Sequence, residues 1–171
     1  MVVATIICGD NYFAEHIDEL TEDIVRILNE NHAEVLVAGP AFTAGRYGLA
    51  CGNVCKIAHQ RMEIPAVSGM YEENPGLEMF KKYAYIFPTA NNARGMKEAI
   101  EKMADFVKKL ARKETIGSPE AEGYFQRGVR VPAFKEDIGA KRAVDMLIKK
   151  INGEKYETEM IMPNFTKFKP S

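Results

Sequence analysis

Residues 34–48 read EVLVAGPAFTAGRYG, an apolar run followed by a loop of small residues. The run Glu34–Ala38 predicts a strand, and the pattern after the loop, from Tyr47 to Met62, predicts a helix. An open α/β sheet binds its ligands in loops of this kind, at the carboxyl ends of its strands. Within the loop Ala38–Gly48, Arg46 carries a planar group of donors that suits a carboxylate or a phosphate. The stretch therefore predicts an α/β sheet with a site for a small anion.

The rest of the chain alternates between strand patterns and helix patterns. Three further strands are predicted, at Val2–Cys8, Pro65–Gly69 and Tyr83–Pro88. Four further helices are predicted, at Glu15–Asn29, Gly76–Lys82, Asn91–Lys113 and Asp137–Asn152. This alternation predicts an open, mainly parallel, doubly wound sheet, that is, a Rossmann- or flavodoxin-like three-layer αβα fold.

The length and composition favour a single domain. A chain of 171 residues with 46% hydrophobic residues can bury one sizeable core. We predict one α/β domain over residues 1–153, with a surface excursion at 114–136 that is rich in glycine, proline and charge. An extended tail or linker is predicted for residues 154–171.

Charge and cysteine content exclude several classes of function. The net charge of -1 gives no electrostatic reason to expect nucleic acid or an anionic membrane. No apolar run reaches the roughly 18 residues of a membrane span, and no basic region precedes an apolar one at the amino terminus. Three cysteines are too few for a secreted disulfide framework, which favours a reducing cytoplasm. The expected partner is a small molecule or a protein.

Four loops are predicted to meet at one edge of the sheet, because parallel strands all end on the same side. These loops follow the four predicted strands and cover residues 9–11, 39–48, 70–74 and 89–92. The candidate substrate-binding residues are Asp10, Asn11, Gly39, Phe42, Gly45, Arg46, Tyr47, Tyr71, Glu72, Asn74 and Asn91.

Several of these candidates have a structural alternative. Asp10 either orients a ligand or caps the helix that follows, and the same two roles are open to Asn91 or Asn92 before the long helix. Arg46 either binds a carboxylate through two hydrogen bonds or forms a salt bridge with Glu72 or Glu73. The two glutamates could act as an acid and a base, or they could simply form a solvated turn.

The cysteines are candidates both for metal ligands and for nucleophiles. Cys51, Cys55 and His59 recur every four residues on a predicted helix. His59 would lie about 12 Å along the axis from Cys51, too far to share one ion. A buried small-residue face is therefore favoured, and no metal is expected. Cys8, at the end of the first predicted strand, is a candidate catalytic thiol, with burial as a small hydrophobe as its alternative.

Four motifs spread over the chain resemble a known family. They are IICGDNYFAE at 6–15, AGPAFTAGRYG at 38–48, GMYEENPG at 69–76 and IGSPEAEGY at 116–124, and the similarity continues through RAVDML at 142–147 to MPNF at 162–165. In this order they resemble the selenoprotein B component of the clostridial glycine/sarcosine/betaine reductases over essentially the whole chain. Val2–Cys8 resembles an internal strand of that family rather than its amino terminus.

The resemblance implies a role in the reductive cleavage of a carbon–nitrogen bond. The chemistry of the family is assigned to a selenocysteine in a carboxyl-terminal region that has no counterpart among these residues. A pyruvoyl group on a partner subunit of component B is implied to form the adduct with amino substrates. The carbon fragment then passes to the small selenoprotein A, with thioredoxin as the reductant.

The same resemblance sets expectations for this chain. It is expected to shape the substrate pocket for a small amino acid or betaine and to dock the pyruvoyl-containing subunit. It would hold no cofactor of its own and show no reductase turnover in isolation. These residues do not distinguish glycine, sarcosine, betaine or proline as the substrate.

Two other classes of function stay open. One is a stand-alone small-molecule-binding or assembly module on the same scaffold, without redox activity, because a fold alone does not fix a function. The other is a sugar- or nucleotide-binding protein, although the chain has no Walker sequence and no dinucleotide glycine fingerprint after its first predicted strand. An open sheet edge is also compatible with a homo-oligomer.

Overall fold

The computed structural model describes residues 1–128 and 137–156. The helices are α1 (Asp10–Glu15), α2 (Ile17–Glu30), α3 (Gly45–Met62), α4 (Pro75–Phe80), α5 (Met96–Ala111), α6 (Pro119–Glu122) and α7 (Gly139–Ile151). The strands are β1 (Leu36–Phe42), β2 (Ala66–Met70) and β3 (Tyr85–Pro88), and a short 3₁₀ turn, Ala93–Gly95, leads into α5.

The three strands form one parallel sheet in the order β1-β2-β3. Val37 of β1 is the register partner of Val67 on β2, which in turn pairs with Tyr85 on β3. Each strand is separated from the next by a helix, as parallel connections require. The predicted α/β fold with an open parallel sheet is confirmed.

Helices cover both faces of the sheet. Successive residues of a strand point to opposite faces, and neighbouring residues of the sheet accordingly belong to two separate apolar clusters. Val67 packs in a cluster with Phe106 of α5. Met70 packs in the larger cluster with Leu28 of α2 and Ala58 of α3. These two clusters give the sheet its three-layer αβα arrangement.

The strand predicted at Val2–Cys8 is wrong for this structure. Residues 1–9 form no regular structure, and Val2 and Ile7 are 81% and 94% exposed. An apolar, β-branched run becomes a strand only where a neighbouring strand completes its hydrogen-bond ladder, and no such neighbour pairs with it in residues 1–128 and 137–156.

Other predicted boundaries move by a few residues. The helix predicted at Glu15–Asn29 corresponds to α2, and a short helix that was not predicted, α1, precedes it and ends at Glu15. The loop predicted at Ala38–Gly48 is shorter, because β1 continues to Phe42 and α3 already begins at Gly45. The long helix predicted from Asn91 begins at Met96.

The chain divides into two units, residues 1–129 and 130–171. The first contains the sheet with α1 to α6, and the described part of the second contains α7. The predicted single domain over 1–153 stays a prediction. Part of the predicted excursion, 129–136, and the predicted tail beyond 156 lie outside the described residues. In the part of the chain that is described, no helix combines the length and apolar character needed to cross a membrane.

Candidate functional site

The connections that follow the strands meet at the carboxyl edge of the sheet. The hydroxyl of Thr43, just after β1, donates to the carbonyl of Asn91, after β3, at 3.2 Å. The backbone N–H of Tyr71, after β2, donates to the carbonyl of Phe42 at 3.1 Å. Three of the predicted loops are therefore joined by direct hydrogen bonds.

Arg46 brings the fourth loop to the same edge. This exposed residue lies in the first turn of α3, and its Nη1 donates to Oδ1 of Asn11 in α1 at 2.7 Å. The alternative salt bridge from Arg46 to Glu72 or Glu73 does not form in this structure. Residues 9–11 thus reach the predicted edge although the residues before them are not a strand.

The charge of Arg46 is not neutralised by its partner, because the Asn11 amide is neutral. By contrast, the surface cations Arg26 and Arg61 pair with carboxylates at 2.8 and 2.9 Å. In addition, α3 begins without a side-chain cap and has no acidic residue in its first turn. The amino end of a helix carries positive potential. This corner of the molecule therefore suits an anion, and a planar guanidinium can bind a carboxylate through two hydrogen bonds.

Asn74 lies beneath the site and holds its connections together. Its side-chain Nδ2 donates to the carbonyl of Phe42 at 2.8 Å and to that of Ala44 at 3.3 Å. Its Oδ1 accepts from the N–H of Gly76 at 2.9 Å, which caps α4. With only 3% of its surface exposed, Asn74 supports the site, and its polar atoms are already engaged within the protein.

The remaining candidates near the first two connections occupy different environments. Asp10 is the first residue of α1 and accepts from the N–H of Asn11 at 2.9 Å. The cap position predicted for Asp10 is occupied by Gly9. Gly39 and Phe42 lie within β1, and Phe42 is buried. Gly45 approaches α4 closely, since a Cβ there would lie 3.4 Å from Cγ of Pro75.

The other candidates lie on the outer connections. Tyr71 is half-buried, while Glu72 and Glu73 are exposed in a turn. Asn91 is exposed, and its Oδ1 accepts from Nδ2 of Asn92 at 2.7 Å. The Oδ1 of Asn92 in turn accepts from the N–H of Arg94 and caps the 3₁₀ turn. The capping role considered for these asparagines therefore belongs to Asn92.

The cysteines of α3 face the core. Desolvation raises the pKa of the Cys51 thiol to about 11, partly opposed by a hydrogen bond with Tyr47. The pKa of Cys55 is also raised, mainly by desolvation and to a smaller extent by the nearby Cys51. The same two causes, in the same order, raise the pKa of Tyr47. Both thiols are neutral at physiological pH, as a buried small-residue face requires. His59 is exposed, and the described residues contain no cluster of three His, Cys, Asp or Glu side chains arranged for a metal ion.

Cys8 lies between the unpaired amino-terminal segment and α1. It is half-buried and packs against the larger apolar cluster, and its Sγ donates to the carbonyl of Gly9 at 3.5 Å. These apolar, half-buried surroundings favour the role of a small hydrophobic residue over the role of an activated thiol.

The sequence did not predict two features, one at the carboxyl edge and one within the sheet. Thr43 joins two connections, yet a single threonine in a loop of small residues carries no signal of its partner. The hydroxyl of Ser68, at the centre of β2, is fully buried and has no hydrogen-bond partner among the described residues. A single serine in an apolar strand pattern does not indicate that its hydroxyl is buried without a hydrogen-bond partner.

Taken together, the fold and the edge define an α/β protein with a candidate anion site where parallel strands end. The sequence pattern of the family described as glycine/sarcosine/betaine reductase selenoprotein B matches residues 1–171. The chain therefore belongs to this family.

Curated relatives include subunits for each of the three substrates. The chain is 54% identical, over 169 residues, to the glycine reductase complex component B subunit gamma of Peptoclostridium acidaminophilum. It is 45% identical over 170 residues to the sarcosine reductase complex component B subunit beta, and 42% identical over 164 residues to the betaine reductase complex component B subunit beta, of the same organism.

These matches cover 99%, 99% and 95% of this chain but only 39%, 39% and 38% of the relatives. The chain thus spans about two fifths of the length of the curated relatives it matches. No solved structure matches it.

Proposed function

We propose that this chain is part of component B of a glycine, sarcosine or betaine reductase and that it binds the carboxylate of the substrate at the carboxyl edge of its sheet. Family membership supports the reductase role. The observation that carries the pocket is the guanidinium of Arg46, which is held by the neutral amide of Asn11 at 2.7 Å. Glycine, sarcosine and betaine differ at nitrogen, but each has a carboxylate that this guanidinium can bind.

The residues of this chain would position the substrate. In the proposal, Arg46 holds the carboxylate and Asn11 fixes the guanidinium. The uncapped amino end of α3 adds favourable potential for the same group. Asp10 and Glu72, which flank this edge, would attract the cationic nitrogen of the substrate. The reacting carbon–nitrogen bond would then point away from α3.

The reductive step would be supplied by groups outside this chain. A pyruvoyl group on a partner subunit and a selenocysteine would provide the covalent and redox chemistry, and none of the described residues is assigned to hold either one. The curated relatives are named as subunits of reductase complexes. We accordingly propose that this chain docks the pyruvoyl-containing subunit, that the carbon fragment passes to selenoprotein A, and that the assembly works in the cytoplasm.

The test is calorimetry on the reductase complex that contains this chain, with glycine, sarcosine and betaine as ligands. We expect one of the three to bind, and methylamine or trimethylamine, which lack the carboxylate, to bind at least about tenfold more weakly. Arg46→Ala should lower the affinity for the carboxylate ligand by about ten- to a hundredfold. Arg46→Lys should retain part of it, since lysine keeps the charge but loses the planar pair of donors.

The matched control is Arg61→Ala, which removes an exposed arginine that is paired with Glu22 away from the edge. Its binding should equal that of the unmodified complex. Equal affinities for Arg46→Ala and Arg61→Ala would remove Arg46 from the site.

A further inference from the structure

The two outer strands of the three-stranded sheet, β1 and β3, differ in whether their free side is covered by another part of the chain. At β3, the backbone N–H of Phe125 donates to the carbonyl of Ile86 at 2.8 Å, so that this edge is partly covered by the chain after α5. At β1, the only strand partner among the described residues is β2. Val37 of β1 is 49% exposed, whereas its register partner Val67 is fully buried. The outer side of β1 is thus an open edge in residues 1–128 and 137–156.

A second strand-forming segment is unpaired in the same unit. Val2–Cys8 consists of seven apolar or β-branched residues, VVATIIC, the same number as in β1. Side chains of this type favour strands, yet Val2 and Ile7 lie in solvent. In this state the segment exposes apolar surface that a sheet would bury.

The carboxyl end of this segment is already in the place that a strand would need. Just after Cys8, the Asn11 side chain accepts a hydrogen bond from Arg46, which follows β1 at the carboxyl edge. Phe13 of α1 is buried in the larger core cluster. A strand running parallel to β1 and leading into α1 would end at this position.

Although both segments are present in one chain, they do not pair with each other. Adjacent strands lie about 4.8 Å apart, and a strand with a free neighbour in reach gains its hydrogen-bond ladder by pairing. The arrangement fits a known order of doubly wound sheets, 2-1-3-4-5, in which the second strand and the third are separated by the first. In that order Val2–Cys8 is the second strand, and β1, β2 and β3 are the third, fourth and fifth.

We propose that a parallel strand from outside these 171 residues inserts between Val2–Cys8 and β1 and completes a five-stranded sheet. More than half of the length of each curated relative lies outside the region that this chain matches, and a strand of the same polypeptide is the occupant to which we commit. Because it would be central in a parallel sheet covered on both faces, it should be a run rich in Val and Ile.

The inserted strand would also complete the site. Ligands of this sheet order bind outside the carboxyl ends of the first and third strands. The third is β1, whose carboxyl end leads to Arg46. The end of the inserted strand would therefore form the other wall beside Arg46. This last point rests on the proposed function, whereas the insertion itself does not.

The first test is hydrogen exchange, compared between the isolated chain and the reductase complex that contains it. We expect the amides of Val2–Cys8 to exchange rapidly in the isolated chain and about a hundredfold more slowly in the complex. Val67, in the central β2, should be protected in both samples and serves as the internal reference. Fast exchange of Val2–Cys8 in the complex, or protection already present in the isolated chain, would overturn the proposal.

The second test identifies the occupant. The photoreactive residue p-benzoylphenylalanine replaces Val37 in the purified complex, and the cross-linked peptides are sequenced by mass spectrometry. We expect capture of a Val- and Ile-rich segment of the same polypeptide, outside these 171 residues. Capture of Val2–Cys8 would mean direct pairing with β1, and capture of β1 from a second copy would mean an edge-to-edge dimer. Either result would contradict the insertion.

The control places the same photoreactive residue at Met79, which is exposed on α4. Capture of the same segment from Met79 would show that it is not specific to the edge, and the proposal would fail. Neither experiment measures substrate binding, so a negative result with Arg46→Ala leaves the insertion standing, and the reverse also holds.

Discussion

Arg46 and Asn11 are 35 positions apart in sequence, yet Nη1 of the arginine lies 2.7 Å from Oδ1 of the asparagine. The bond ties α1 to the first turn of α3. Because the amide is neutral, it fixes the direction of the guanidinium without cancelling its charge. The partner of Arg46 therefore decides whether the site can attract an anion.

Substitutions of Asn11 should distinguish its effect on the orientation of the Arg46 guanidinium from its effect on the charge beside that group. Asn11→Asp would keep a hydrogen-bond acceptor but place a carboxylate against the guanidinium, in competition with the substrate. We expect Asn11→Asp to weaken carboxylate binding by the complex by about tenfold or more, and Asn11→Ala to weaken it less. Calorimetry measures both. Asn53→Asp is the control, since Asn53 bonds within α3 to the carbonyl of Leu49, and equal affinities for the two Asp variants would contradict this role.

The buried amide of Asn74 should be required for stability rather than for binding chemistry. Asn74→Ala removes the bonds to Phe42, Ala44 and Gly76. The N–H of Gly76 then loses its partner, whereas the carbonyls of Phe42 and Ala44 still accept from the N–H groups of Tyr71 and Gly48. We expect the free energy of unfolding to fall by about 2–4 kcal/mol, measured by urea denaturation. Asn91→Ala, on the exposed surface, should change it by less than about 0.5 kcal/mol. A loss of similar size in both variants would show that Asn74 has no special structural role.

The crossing of α3 and α4 depends on a missing side chain. A Cβ at Gly52 would lie 2.0 Å from Cδ2 of Phe80, which is itself buried. Gly52→Ala should therefore displace the ring and cost about 1–3 kcal/mol of stability in thermal or urea unfolding. Apart from its own helix and chain neighbours, no heavy atom in the described part of the chain lies within 4 Å of such a Cβ at Gly139 on α7. Gly139→Ala should therefore be neutral or slightly stabilising. A Gly52→Ala variant as stable as Gly139→Ala would disprove the close packing.

Cys51 should make stability fall at alkaline pH. Its pKa is raised from 9.0 to about 11 by desolvation, so between these values the unfolded chain loses the thiol proton while the folded chain keeps it. The folded state then binds more protons, and the free energy of unfolding decreases as pH rises, by about 2–3 kcal/mol in all for this group. Well below pH 9 the thiol is protonated in both states, and its contribution to the free energy of unfolding does not change with pH.

The measurement is urea denaturation under reducing conditions at several pH values from 8 to about 11. Cys51→Ala should show a shallower loss than the unmodified chain. Part of the loss should remain, because burial raises the pKa of Cys55 in the same direction. Identical slopes for the two proteins would mean that Cys51 is not desolvated in the folded state.

Strands β2 and β3 and helix α3 were all predicted within a few residues of their observed bounds. Each has a local signal, namely a short apolar run between turn residues or apolar residues at helical spacing. The loops that follow parallel strands must share an edge, so their meeting was predictable as well. The contacts between individual side chains at that edge were not predictable. Thr43 and Asn91 are far apart in sequence, as are Arg46 and Asn11, and no local pattern identifies one as the partner of the other.

Local periodicity and short motifs were enough to predict the alternation of strand and helix, the parallel sheet, the edge at which polar residues gather and the family to which the motifs belong. Three features depended on tertiary contacts: Val2–Cys8 has no strand partner in the part of the chain that is described, Asn74 is buried as a support, and Arg46 meets a neutral amide. Strand pairing, burial and charge compensation each depend on a partner distant in the chain, and local pattern contains no information about whether that partner is in place.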